Sequence, residues 1–116
     1  GGYRVQGRQD DAATHMVQEA LALQDAGAVM LLMEMVPADV AAAVDEALTI
    51  PTIGIGAGNA TTGQVLVWQD AFGLNQGRVP SFVKQYADVG RGLSDAAKNY
   101  REDVLKSDFP DEDHSF

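Results

Sequence analysis

Six apolar residues in succession, Ala28-Val29-Met30-Leu31-Leu32-Met33, follow directly on Gly27 and stop at Glu34. A run without polar alternation fits a strand covered on both faces, as in a parallel sheet, better than one with a wet face. The flanking sequence has the other period. After Asp10 and Asp11, both good N-cap types, Ala13, Met16, Val17, Ala20 and Leu21 recur at helical spacing until Gly27, which predicts a helix over about 11–26. Beyond the strand, Val36-Pro37 opens a second helix, and Val40, Ala41, Val44, Ala47 and Leu48 carry it over roughly 37–48. Thr49-Ile50-Pro51 breaks it, and Thr52-Ile53-Gly54-Ile55-Gly56 reads as a short second strand running into Ala57-Gly58-Asn59.

The stretch from Gly63 to Phe72 is compatible with either period. Val65-Leu66-Val67-Trp68 alone resembles a strand, but Thr61 and Thr62 can cap a helix on which Val65, Trp68 and Phe72 fall at i, i+3 and i+7, so a helix is preferred. Phe82 to Ala87 alternates weakly and is predicted as a third strand; Ser94 caps a final helix carrying Ala97, Tyr100, Val104 and Leu105. The order αβαβαβα implies an α/β fold with a parallel sheet and right-handed crossovers.

With 116 residues, 46% apolar and 22% charged, the chain is one globular domain or part of one. A complete (β/α)₈ barrel needs about 250 residues, so a barrel reading makes it a fragment. A net charge of −9 offers no electrostatic footprint for a phosphate backbone, which argues against nucleic acid. Without cysteine there is no disulfide framework, no thiolate zinc site and no Cys nucleophile, as suits a reducing, cytoplasmic setting. The apolar run is far shorter than the roughly 20 residues of a membrane helix, and no signal pattern opens the chain, so a soluble protein with no membrane partner is expected.

In parallel α/β folds the chemistry lies at the carboxyl ends of the strands. Glu34 closes the apolar strand between Met33 and Met35, a setting that desolvates a carboxylate and makes it a candidate general base or acid. The plainer alternative is a carboxylate that caps the next helix or pairs with Arg. Gly54-Ile55-Gly56-Ala57-Gly58-Asn59 is a glycine-rich turn after a strand that could bring backbone N–H groups to an anion. Its G-x-G-x-G spacing is neither the dinucleotide fingerprint nor a Walker loop, and a steric role is favoured. His15 and His114 read as surface residues. Asp111, Glu112 and Asp113 lack the alternating ligand spacing and Gly of a calcium loop and read as a solvated tail. Ser81 lacks a nucleophile context, and Trp68 with Phe72 reads as packing.

Specific strings then carry a resemblance. Gly1-Gly2-Tyr3-Arg4-Val5-Gln6-Gly7-Arg8, Met33-Glu34-Met35-Val36-Pro37, Pro51-Thr52-Ile53-Gly54-Ile55-Gly56-Ala57-Gly58, Gln69-Asp70-Ala71-Phe72-Gly73 and Asp113-His114-Ser115-Phe116 occur in this order. Together they closely resemble the C-terminal part of ketopantoate hydroxymethyltransferase. The resemblance implies the C-terminal half of a (β/α)₈ TIM barrel of the phosphoenolpyruvate-binding type, holding strands six to eight and helices five to eight. Residues 1–107 are then the half-barrel and 108–116 an acidic tail.

The family's reaction, as the resemblance implies it, transfers a hydroxymethyl group from 5,10-methylenetetrahydrofolate to 3-methyl-2-oxobutanoate, with Mg²⁺ as Lewis acid. Glu34 matches the glutamate that takes the C3 proton. The metal ligands and the Lys and His that hold the keto acid lie on strands two to five, outside this chain, so the catalytic set is incomplete and the fragment alone is expected to be inactive. Gln69 stands where many relatives have His, Met35 where Cys is common and Arg4 where Lys is common. A start inside a loop, without Met, leads to the expectation of a proteolysed, split or truncated product, although Met removal before Gly1 gives the same terminus. The strand ending at Glu34 becomes an unpaired apolar edge, so a covering partner is expected: the missing N-terminal half or another copy, within a homo-oligomer. Two other functions are compatible with the residues: a flavodoxin-like module holding a phosphate or nucleotide on Gly54–Asn59, and a catalytically inactive assembly partner.

Overall fold

The computed structural model describes the backbone of residues 2–116 and the side chains from residue 11 onward. The chain falls into two compact units, Gly1–Val65 and Leu66–Phe116. In the first, helix α1 spans Gly2–Asp25. Asp10 and Asp11 therefore lie inside the helix instead of capping it. A capping preference is worth about 1 kcal/mol, and the Arg, Gln and Ala residues around the pair are good helix formers that carry the helix through. The other end matches the expectation. Gly27 takes φ +106°, its N–H donates to the Gln24 carbonyl at 3.0 Å, and Ala28 N–H donates to the Leu23 carbonyl at 3.0 Å. These are the two bonds of a Schellman C-cap.

That cap and its exit occupy Ala28 to Met30, so strand β1 is confined to Leu31–Glu34. Helix α2, Ala38–Ala47, follows with Pro37 as its N-cap residue, one position outside the helix; the Pro37 carbonyl accepts Ala41 N–H at 2.9 Å. Strand β2, Thr52–Ile55, lies parallel to β1 with Leu31 opposite Thr52 and Glu34 opposite Ile55.

The preference for a helix over Gly63 to Phe72 is overturned. Gly63–Gln64 forms strand β3, parallel to β2, with Ile53 opposite Gly63 and Gly54 opposite Gln64, and Val65 N–H extends the ladder to the Gly54 carbonyl at 3.0 Å. Backbone polar groups along the free side of β2 need partners, and this segment supplies them. Apolar spacing alone does not register that demand. The sheet is three-stranded in the order β1-β2-β3, all parallel.

Both long helices of this unit pack toward the same core as Leu31 and Met33. Ala20, Met33, Ala41, Val44, Leu48 and Ala57 form it, with Met16, Val17, Leu21 and Val36 against them. Ala41 and Val44 are fully buried. Gln24 of α1 closes the far end, its Oε1 accepting the N–H groups of Thr49 at 2.7 Å and Ile50 at 3.2 Å. Leu32, by contrast, is 58% exposed. The expectation that the strand is covered on both faces is thus corrected, because the helices cover one face of β1 and Leu32 and Glu34 look outward from the other.

The second unit opens with the single turn α3, Trp68–Ala71, which is all that remains of the expected 63–72 helix. Gly73 ends it at φ +72°, with Leu74 N–H bonded to the Gln69 carbonyl at 2.8 Å. Phe82 to Ala87 is not a strand. Its end is tied instead to the turn after α3: Tyr86 N–H donates to the Ala71 carbonyl at 2.6 Å, and Val89 and Gly90 donate to Phe72 at 3.0 Å and Gly73 at 2.8 Å. Helix α4, Val89–Leu105, starts before Ser94, which lies within it and caps nothing. No α4 residue is buried, and Leu93, Tyr100 and Leu105 are exposed. In the acidic tail, Glu112–His114 makes one 3₁₀ turn capped by the Asp111 side chain, and Phe109 meets Tyr100 edge-on with ring centroids 5.7 Å apart. Among the described residues no helix is long and apolar enough to cross a membrane.

Candidate active site

Two of the sequence candidates share one end of one sheet. Parallel strands place all carboxyl ends on the same side, so Glu34, the last residue of β1, lies beside Ile55, the last residue of β2, and hence beside the glycine-rich turn. The register continues one step past the strand, with Met35 N–H donating to the Ile55 carbonyl at 2.9 Å. This is the end at which parallel α/β proteins gather their chemistry.

Glu34 is exposed, and Met35 beside it is 71% exposed. The desolvated setting expected from the flanking methionines is therefore not made by this chain, since their side chains do not enclose the carboxylate. The capping alternative does not describe it either: α2 has Pro37 as its N-cap residue and no side-chain cap bond. Glu34 also lines a groove of about 200 Å³ in the first unit, together with Glu19 and the apolar side chains of Met16, Leu23, Leu31 and Leu32. A carboxylate at a strand mouth can accept a proton from a bound ligand.

The glycine-rich turn has steric reasons for its glycines. Gly56 and Gly58 take φ of +63° and +78°, in the region that side chains disfavour. A Cβ on Gly58 would stand 2.6 Å from the Ala38 Cβ, and one on Gly54 would stand 3.0 Å from the Thr61 Oγ1. Gly58 thus allows the close approach of the turn to Ala38 at the start of α2, and Gly54 leaves room for Thr61. Gln64 then clasps the turn, its Nε2 donating to the Gly58 carbonyl at 2.8 Å and the Thr61 Oγ1 at 3.0 Å.

The remaining candidates form no cluster with these. His15 is an exposed α1 residue whose Nε2 lies 3.1 Å from Glu19 Oε1, one turn along. His114 pairs with Asp111 in the tail. Among the described residues, no group of three or more His, Cys, Asp or Glu is placed to hold a metal ion, Asp111, Glu112 and Asp113 included. Ser81 sits in an exposed turn. Trp68 and Phe72 are 52% and 47% exposed, so the packing role expected of them is not fulfilled within this chain. Gln69 lends its backbone carbonyl to the cap of α3, and the Arg4 side chain lies outside the described residues.

Sequence reasoning missed two features. Met35 is a non-glycine residue at φ +54°; the signal was Val36-Pro37, which leaves little chain between strand and helix. Fully buried Thr52 joins Asp45 and Thr62 in a polar network, which the paired threonines at 61 and 62 announced only as caps.

The fold and these positions can be set against known proteins. The family model for ketopantoate hydroxymethyltransferase matches residues 1–112. A 3-methyl-2-oxobutanoate hydroxymethyltransferase of Paenarthrobacter aurescens (strain TC1) is 65% identical over 116 residues, all of this chain and 38% of that protein. The protein of that name from Streptomyces coelicolor is 55% identical over 98% of this chain and 39% of its own length. One from Edwardsiella ictaluri is 51% identical over all of this chain and 44% of its own. This chain thus spans well under half the length of the relatives it matches, and it belongs to the ketopantoate hydroxymethyltransferase family.

Proposed function

We propose that this chain is the C-terminal part of a cytoplasmic enzyme that transfers a hydroxymethyl group from 5,10-methylenetetrahydrofolate to 3-methyl-2-oxobutanoate, giving ketopantoate, and that Glu34 is its general base. The observation that carries the proposal is the position of Glu34: a carboxylate at the carboxyl end of a parallel strand, within a chain of this family. Sheet topology supports a half-barrel. Strand order β1-β2-β3 follows the sequence without reversal, as it does around a barrel. Helices on one face and an exposed Leu32 on the other fit a barrel wall whose interior is completed by further strands. The missing N-terminal half, or another copy in a homo-oligomer, is the partner that would cover it.

Glu34 would take the single proton on C3 of the keto acid. The C–H electron pair enters the C2–C3 bond, negative charge moves to the C2 carbonyl oxygen, and nucleophilic C3 is left to attack the one-carbon unit. Mg²⁺ is implied by the resemblance to stabilise that charge, but the described residues do not fit a metal site, so no step here passes through it. Accordingly the 116-residue chain is proposed to be inactive by itself.

The test is deuterium exchange at C3 of 3-methyl-2-oxobutanoate, followed by proton NMR, in the full-length protein containing this chain. Positioned acid–base catalysis contributes about 10²–10⁴-fold, so Glu34→Gln is expected to slow exchange at least about 100-fold. Unchanged exchange in the folded variant would remove Glu34 from the reaction and move the chain's role to assembly.

A further inference from the structure

We infer that Met35 is a positioning residue, whose left-handed backbone holds Glu34 at the strand mouth; this rests on the reading of Glu34 as the base. Four observations at one turn support it. Met35 has φ +54°, a conformation that costs a non-glycine residue and persists where its surroundings over-determine it. Its N–H is bonded to the Ile55 carbonyl at 2.9 Å, so the strained residue is anchored to the strand beside Glu34. Pro37 follows two residues later, restricts Val36 to extended backbone and stands as the N-cap residue just before the helix. Finally, the side-chain alternation breaks here. Met33 is buried and Glu34 exposed, so a continuing strand would turn Met35 inward; instead Met35 is 71% exposed and Val36 packs on the core.

The left-handed residue thus lets the chain leave the sheet immediately after Glu34 while Val36 still reaches the core. With Met35 in an extended conformation, the inward position would pass from Val36 to Met35 and the path into α2 would shift. The Glu34 peptide, bounded by the Ile55 bond, would move with it. A displacement of about 1 Å at a reacting group costs about 100-fold in rate.

Variants of the full-length protein separate backbone from side chain. Val resists the left-handed region, whereas Gly and Asn accept it. Met35→Val is expected to lower the turnover of C3 exchange at least about 10-fold, with KM for 3-methyl-2-oxobutanoate within about 3-fold, because the group displaced is the base rather than the binding contacts. Met35→Gly is expected to stay within about 3-fold of the parent in both constants. Equal losses in the Val and Gly variants would assign the effect to the thioether side chain and overturn the inference, as would an unaffected Val variant. Should Met35→Val not fold, Met35→Asn decides: retained turnover supports the backbone role and loss refutes it. Glu34→Gln, run alongside, tells the two failures apart. If it abolishes exchange while the Met35 pattern is absent, the positioning role alone fails; if it leaves exchange intact, the base assignment fails and the positioning role with it.

Discussion

Thr52 and Thr62 exchange hydrogen bonds in both directions: Thr52 N–H donates to the Thr62 Oγ1 at 3.1 Å, and Thr62 N–H donates to the Thr52 Oγ1 at 3.2 Å. The Thr52 hydroxyl has a further acceptor in Asp45 Oδ1 of α2, at 2.6 Å. One fully buried side chain therefore links helix, strand and the segment that leads into β3. Removing one partner of such a set leaves the others unsatisfied.

Thr52→Val keeps the shape of the side chain and deletes the hydroxyl. It strands the Thr62 N–H and one Asp45 interaction, so the expected loss is about 1–3 kcal/mol. Urea denaturation of the chain, read as a lower midpoint at unchanged slope, checks this.

Two glycines with positive φ should respond differently to alanine. Gly27, at φ +106°, has open space where a Cβ would stand, so Gly27→Ala should cost only the conformational penalty of about 1–2 kcal/mol. Gly58 adds a 2.6 Å clash with the Ala38 Cβ, so Gly58→Ala should cost clearly more and shift the start of α2. Thermal midpoints of the two variants side by side test the order.

Deleting the Gln24 amide should open one corner of the first unit. Its Oε1 serves the N–H groups of Thr49 and Ile50 after α2, and a net hydrogen bond is worth about 1 kcal/mol. Gln24→Ala is expected to speed hydrogen exchange at those two amides while leaving the Val44 amide, within α2, nearly unchanged.

The uncovered face of β1 carries an association hazard. Leu32 is 58% exposed on an edge strand of the described sheet, and exposed apolar edges invite pairing with other chains. The isolated chain should therefore associate in a concentration-dependent way, and Leu32→Lys should reduce this without lowering the unfolding midpoint. Sedimentation velocity over a range of concentrations measures it; a monomer at all concentrations would count against an uncovered barrel wall.

Local sequence signals carried the first unit well. Gly27 terminates α1 because its φ is one that glycine alone adopts freely, the end of the apolar run together with Glu34 forms β1, Val40, Ala41 and Val44 make the buried face of α2, and Thr52–Ile55 pairs beside β1. Glu34 at the carboxyl end of its strand was legible for the same reason: a run of apolar residues ending in a carboxylate, followed by Pro, sets both element and terminus. Pairing, by contrast, is a property of two segments at once. Gly63–Gln64 became a strand because β2 offered it unpaired backbone groups, while Phe82 to Ala87, with its weak alternation, was tied through Tyr86 to Ala71 at the end of α3. Coverage was decided the same way. Ala28 to Met33 reads as buried on both sides, yet the exposed face of Leu32 and Glu34 depends on what packs there, and no periodicity within a single segment records its neighbours.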